Sequence, residues 1–384
     1  MPTMILNKKD EYFISIAKQG IHSFMMLGVV KDGQPQLLAR VGKFGDIDPD
    51  SSSKFAMIKK AITTKVLSRI ADEGLSRKNG NIAVINYQAY AINYEQVKEF
   101  LGMIAEIEQR QLKNPEIVKE IQRKYGSSGI EEKAIKCFVP VKEDESFVKE
   151  DESFVKFKLK KLKECEFLTT EEIKAKTSSE IASGVQQIHL NNTCRTSSKN
   201  IVEAILGFAT DVSSYFFIAP KHQSKLIAGQ PAKESFYILP LPPNCVNVSK
   251  EQEAALKKIY KRLEEIPKLN PESAETRKKF DALKSMYKDI AGENHLIAKA
   301  LFGKILEHED KNQNSLFEKR SPNFLSKLFS LSSSTKRMFY DMENGLKKMM
   351  TSQEVNDVIE KFKIQKGNPT EENPETEVRP SKPS

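Results

Sequence analysis

Residues 20–42, GIHSFMMLGVVKDGQPQLLARVG, decide the fold. Two β-rich apolar runs, 22–30 and 36–42, flank a KDGQP turn. Asp32-Gly33 readily takes φ > 0, so the stretch reads as a β-hairpin. Its first strand is so apolar that it belongs in the middle of a sheet. His22 stands near the start of that strand, which puts an imidazole at the rim.

Working outward, EYFISIA (11–17) reads as a preceding strand. Residues 54–74 read as a helix and NIAVINY (81–87) as a strand. NYEQVKEFLGMIAEIEQRQ (93–111) reads as a helix with Val97, Leu101, Ile104 and Ile107 on one stripe. Further strands are expected at IKCFVPV (135–141), SFVKFKL (153–159), SYFFIAP (214–220) and SFYILPL (235–241). VKEDESF at 141–147 recurs unchanged at 148–154. Two copies of a seven-residue period are too short for a solenoid, and a local duplication in a tolerant surface segment is the simpler reading.

PLPPNC (240–245) closes this mixed region, because proline breaks both helix and ladder hydrogen bonding. From there to residue 363 the pattern is helical. SKEQEAALKKIYKRLEEI (249–266) opens on a Ser249 cap and repeats Ala255, Ile259 and Leu263 at helical spacing. A second helix runs from after Pro271 to Gly292, with others around 294–308 and 335–363. The resulting division is an α+β domain over 1–245, an α-helical domain over 246–363, and a tail over 364–384 too polar to bury a core.

The 384 residues suit two or three domains; 39% are hydrophobic and 29% charged, a globular composition. Net charge is +9, but acidic and basic residues interleave and form no Arg-rich, aromatic-studded stripe, so nucleic acid is not an expected partner. Cys137, Cys165, Cys194 and Cys245 form no CxxC or Cys/His cluster, which suggests neither metal nor disulfide framework. No cofactor is expected. The N-terminus lacks an uninterrupted apolar h-region, and the longest apolar run is far short of the ~20 residues a membrane span needs. A soluble protein with reduced thiols is the expectation.

NNTCRTSSKNIVEAIL (191–206) carries the chemistry. Cys194 falls in the first turn of an amphipathic helix, capped by Asn192 or Thr193. Ser197, Ser198, Ile201, Ile205 and Phe208 lie beneath it on one face. Free N–H groups and the positive dipole end of a helix favour a thiolate, and the same groups stabilise an oxyanion. The thiol needs a base, and His22 at its sheet rim is the candidate. The competing reading of Cys194 is a small packed hydrophobe. Cys137, Cys165 and Cys245 read as structural.

Gly20-Ile21-His22-Ser23-Phe24 with its hairpin, the helix containing NYEQVKEFL, and NNTCRTSS opening a second helix together resemble the circularly permuted papain-like thiol hydrolases. These are the NlpC-type peptidases and the lecithin:retinol acyltransferase group, in which the histidine precedes the cysteine. Residues 10–240 are covered. The resemblance implies an antiparallel sheet with packed helices, His22 as base and Cys194 as nucleophile; the Asn-Asn-Cys motif departs by the insertion of Thr193. It also implies a polar residue that orients the imidazole. Pairing across the hairpin brings Asp46 close to the strand end and makes it the choice among Gln36, Arg40, Asp46 and Asp48. Asn191, Asn192 and Arg195, flanking the thiol, are candidates for substrate binding and the oxyanion, although the asparagines serve equally well as cap and turn residues.

SPNFLSKLFSLSSSTKRMFY (321–340) sets Phe324, Leu325, Leu328 and Phe329 among basic residues, a pattern suited to an anionic membrane surface or to covering a neighbouring helix. The Glu-rich tail PTEENPETEVRPSKPS resembles the secretion signals of effectors exported by type IVB (Dot/Icm) systems of intracellular bacteria. That resemblance implies delivery into a host cytoplasm and a host protein or peptide as substrate. The expected function is a cysteine-dependent peptidase, amidase or isopeptidase. The alternatives are a lipid acyltransferase or esterase of the same fold, or a non-catalytic interaction or membrane-binding protein.

Overall fold

A computed structural model of the chain describes residues 2–45, 66–76, 81–141, 153–317 and 334–367. The strands are β1 (Thr3–Asn7), β2 (Glu11–Gln19), β3 (His22–Lys31), β4 (Gln34–Gly45), β5 (Val66–Asp72), β6 (Ile82–Ile92), β7 (Lys136–Pro140), β8 (Phe154–Lys161), β9 (Gln187–Ile188), β10 (His222–Ile227), β11 (Gln230–Pro231) and β12 (Ile238–Leu239). Among them run helices α1 (Tyr94–Leu112), α2 (Pro115–Tyr125), α3 (Glu171–Lys176), α4 (Ser179–Gly184) and α5 (Cys194–Leu206). Then come α6 (Lys250–Glu265), α7 (Ala274–Ala291), α8 (Ala298–Lys311), α9 (Gln313–Phe317), α10 (Ser334–Lys347) and α11 (Ser352–Gly367).

The class is α+β. Among the described residues one sheet runs in the order β11-β10-β6-β2-β3-β4-β5-β9, antiparallel throughout, with β12 added parallel to β6; a second sheet has the order β1-β8-β7. β3 is central, as its unbroken apolar run requires. Two tight turns make the meander. Asp32 and Gly33, at φ 51° and 70°, form the primed turn between β3 and β4. Gly20, at φ 59°, begins the two-residue turn between β2 and β3.

One face of the sheet buries Phe13, Ala17, Phe24, Met26, Tyr87 and Phe236 in a single cluster. On the other, α5 packs over β2, β3 and β4 and beside α1. Asn93 caps α1 through a reciprocal pair of bonds with Gln96, and the Val97-Leu101-Ile104-Ile107 stripe is fully buried, as its spacing predicts.

Three expectations differ. Residues 66–72, read as the end of a helix, are a strand: the edge of β4 opposite β3 pairs Val41–Gly45 with Ser68–Asp72. Strand pairing here overrides local preference. Residues 54–65 lie outside the described residues, as do 142–152, which hold most of the VKEDESF repeat. SYFFIAP is a loop, and SFYILPL contributes only Ile238–Leu239 to the sheet. Cys137 and Cys165 are buried as structural cysteines should be, whereas Cys245 is exposed.

By its contacts the chain divides into two units, 1–246 with 260–284, and 247–259 with 285–384. The sequence boundary at 245/246 does not anticipate that the segment 260–284 belongs with the strands. There Phe280 sets its ring edge-on to Tyr237 at 4.9 Å, and Arg277 stacks over Tyr237 at 3.9 Å. In the helical unit Ser249 caps α6, accepting from the Gln252 N–H at 3.2 Å, while Gln252 answers by accepting from the Ser249 N–H at 3.0 Å. No helix among the described residues is long and apolar enough to cross a membrane. Phe324, Leu325, Leu328 and Phe329 and most of the acidic tail lie outside the described residues.

Candidate active site

Cys194 is the first residue of α5, and the Thr193 hydroxyl caps that helix by accepting from the Thr196 N–H at 3.4 Å. The first N–H groups of the helix, Cys194's own among them, have no intrahelical acceptor, so the sulfur sits where backbone dipoles favour negative charge.

Strand geometry brings the sulfur to the histidine. The turn at Gly20-Ile21 makes Gln19 and His22 the closing pair of the β2–β3 hairpin. Alternation along an antiparallel strand then points the next N–H, that of Ser23, away from β2 and toward β4. But β3 and β4 stop pairing at Phe24–Gly42, while β4 continues along β5 to Gly45. The strands part there. In place of a ladder carbonyl, the Cys194 sulfur accepts from the Ser23 N–H at 3.3 Å, and the thiol lies 4.0 Å from the Ile21 carbonyl oxygen.

His22 hydrogen-bonds through Nε2 to Glu73 Oε1, and it lies close enough to Cys194 for the two groups to shift each other's charge. Its side chain is 29% exposed and that of Glu73 only 7%. Glu73 directly follows β5; its N–H donates to the Arg40 carbonyl at 3.0 Å, and its second oxygen lies 3.8 Å from the buried Arg40 guanidinium. Phe24 stacks on the imidazole at 5.9 Å and Phe44 lies against it at 4.9 Å. Gly42 leaves room for the pair. A Cβ there would fall 2.3 Å from Glu73 Oε1 and 2.9 Å from His22 Nε2.

Charge is set by these contacts. Burial pushes the imidazole's pKa down, but hydrogen bonds and charge from Cys194 and Glu73 outweigh it and raise His22 to about 9. Burial likewise pushes the thiol up, yet His22, the Ser23 N–H and Lys43 bring Cys194 below the ordinary thiol value. The two shifts describe a thiolate–imidazolium pair, present above the lowered thiol pKa and lost as pH rises through about 9.

Lys43 is a member of the site that sequence reading passed over. It is buried on the α5 side of β4, with Nζ within 3.2 Å of five oxygens: the carbonyls of Gly184 (2.7 Å), Gln187 (2.7 Å) and Asn192 (3.2 Å), Asn192 Oδ1 (3.1 Å) and Ser197 Oγ (3.1 Å). Burial lowers its pKa to about 7 against the pull of Cys194. The ammonium ties the loop before Cys194 to the sheet. Lys43→Met leaves buried acceptors without their donor and is expected to lower the unfolding free energy by about 2 kcal/mol. A urea titration checks this: the midpoint falls at an unchanged slope, and an unmoved midpoint means that water replaces the ammonium freely.

The remaining sequence candidates separate. Asp46 lies outside the described residues, and the group that meets His22 is Glu73. Its signal was the alternation of VLSRIADE (66–73), hidden by the helical reading. Asn192 is engaged on both sides, donating to the Gly184 and Gln187 carbonyls at 2.6 and 3.0 Å and accepting from Lys43, which makes it a loop brace rather than an oxyanion donor. Arg195 is fully buried and donates to Ser23 Oγ at 2.9 Å and to the Ser213 and Ile218 carbonyls at 3.3 Å each, so it does not reach a substrate. It faces the sheet because the second residue of α5 lies underneath. Asn191 is exposed.

Glu73→Gln keeps an acceptor for Nε2 and removes only the charge. It is expected to reduce turnover about tenfold and to move the alkaline fall of activity below pH 9, because His22 loses its anionic partner. The pH profile measures both; an alkaline limb that stays in place shows that the carboxylate does not set the histidine's charge.

Comparison with protein-family models, with curated proteins and with solved structures yields no match.

Proposed function

We propose that the protein is a cysteine-dependent acyl hydrolase acting on peptide, amide or isopeptide bonds. The observation that carries this reading is the convergence of a helix-start thiol, a histidine and a carboxylate from three distant segments, with the thiol's pKa lowered and the histidine's raised. A packed structural cysteine requires none of these. Cys137 supplies the internal contrast, since it is buried and burial lifts its pKa well above the ordinary value.

The Cys194 thiolate attacks the substrate carbonyl carbon and the first-turn N–H groups of α5 receive the oxyanion. The imidazolium gives its proton to the departing amine as the carbon–nitrogen bond breaks, leaving a thioester on Cys194. Water then attacks with His22 taking its proton, and the carboxylic acid leaves. Glu73 holds the ring and its charge through both halves. The chain order His22, Glu73, Cys194 agrees with a permuted papain-like arrangement, and the resemblance of the acidic tail extends the reading to an effector working in a host cytoplasm.

Iodoacetamide applied to the native protein at pH 6, followed by peptide mapping, tests the proposal. Label on Cys194 ahead of exposed Cys245 is expected, because its neighbours lower the pKa of the former while burial raises that of the latter. Label on Cys245 first, with Cys194 inert until unfolding, leaves a scaffold rather than an enzyme.

A further inference from the structure

Loop 213–218 contradicts the expectation of a strand, and its surface is unusual. Tyr215 is 66% exposed, Phe217 67% and Ile218 45%. Large apolar groups gathered in the open mark a place where something binds. The loop also makes contacts of its own. Its Ile218 N–H donates to the Tyr215 carbonyl at 3.1 Å, Tyr215 and Phe217 stack at 5.5 Å, and Phe216 sets its edge on Phe217 at 5.8 Å.

The side chains that hold it come from the nucleophile's own helix. Arg195, next to Cys194, donates to the Ser213 and Ile218 carbonyls, and with its Nε to the hydroxyl of Ser23, whose N–H contacts the sulfur. One turn on, Lys199 donates to the Thr210 and Val212 carbonyls at 3.1 and 2.9 Å. A single guanidinium thus spans from the side chain of Ser23 to the backbone of the aromatic loop. Nearer the sulfur the surface is apolar as well: Ile21, whose carbonyl faces the thiol, is 42% exposed, and Phe44 beside His22 is partly open.

Resting on the hydrolase reading above, we infer that Tyr215, Phe217 and Ile218 form a recognition platform for an aromatic or branched aliphatic side chain of a peptide substrate, next to the scissile carbonyl. Two rings open to solvent over most of their surface offer a flat stacking face. A side chain fits that. A long acyl chain laid across it would stay wet along most of its length, whereas its burial is what would hold it.

The test needs no known substrate. The full chain is alkylated in parallel with iodoacetamide, N-benzyl-iodoacetamide and N-dodecyl-iodoacetamide, each rate at Cys194 being normalised to that with a free small thiol. The benzyl reagent is expected to lead iodoacetamide by about three- to tenfold, the strength of one ring contact. In the Tyr215→Ser/Phe217→Ser variant, whose altered side chains are exposed, that ratio falls to about one. A benzyl ratio near one in the native chain, or one that survives in the variant, overturns the platform while leaving the thiol reactive. A dodecyl advantage exceeding the benzyl one and lost in the variant overturns the peptide assignment in favour of a lipid chain. Failure of all three reagents to label Cys194 removes the hydrolase reading itself.

Discussion

Replacing His22 by alanine is expected to slow the alkylation of Cys194 at pH 6 by about tenfold or more, since the thiol loses the partner that does most to lower its pKa. In the native chain the anion is held by the imidazolium, whose pKa is raised to about 9, and by the Ser23 N–H. Without the ring, burial is left to push the thiol up. The sign is specific. The variant should approach native rates as pH rises past the ordinary thiol range, because hydroxide then does what the imidazole did. Hydrolysis should not recover with it, for the leaving group still lacks a proton donor. Stopped-flow alkylation from pH 5 to 10, beside turnover of any substrate found, reads both. Equal alkylation of the two proteins at pH 6 would show that the helix start alone activates the sulfur.

Gly42→Val is expected to abolish activity almost completely, by a hundredfold or more, without touching a reacting atom. The added Cβ would overlap Glu73 Oε1 and crowd His22 Nε2 at 2.3 and 2.9 Å. The pair is held on several sides. Phe24 and Phe44 bound the ring, and Glu73 is tied to Arg40 through its own N–H. The imidazole must therefore rotate off the carboxylate and away from the sulfur. Gly42→Ala, which brings the same Cβ, should lose nearly as much. Hydrolysis together with alkylation at pH 6 measures the effect, and the thermal midpoint separates it from unfolding. A folded valine variant that keeps native rates would mean that the His22–Glu73 contact is dispensable.

Much of this was legible from local chemistry. Asp32-Gly33 specifies a turn that only φ > 0 residues make, and the unbroken run of β3 specifies a strand covered on both faces. Asn93 and Ser249 announce their helices, and Cys194 announces a helix that begins at a sulfur. The identity of His22 as the imidazole beside that sulfur was an inference from rim position, and the geometry agrees with it. These signals work because each depends on neighbours a few residues away.

Glu73, Gly42 and Lys43 depended on something else. VLSRIADE reads as helix until the edge of β4 opposite β3 offers it a partner, a fact of sheet topology rather than of residues 66–73. Gly42 looks like an ordinary strand glycine until two side chains from other strands need its space. Lys43 looks like a surface lysine until the segment 184–197, far along the chain, folds five oxygens around it. Arg195 and Asn192 looked like groups waiting for a substrate because the sequence shows adjacency to the thiol but not direction. Local chemistry determined the elements and the thiol that opens a helix; the parting of β3 from β4 decided what surrounds it, because only tertiary packing chooses which ladder position is left for a sulfur to fill.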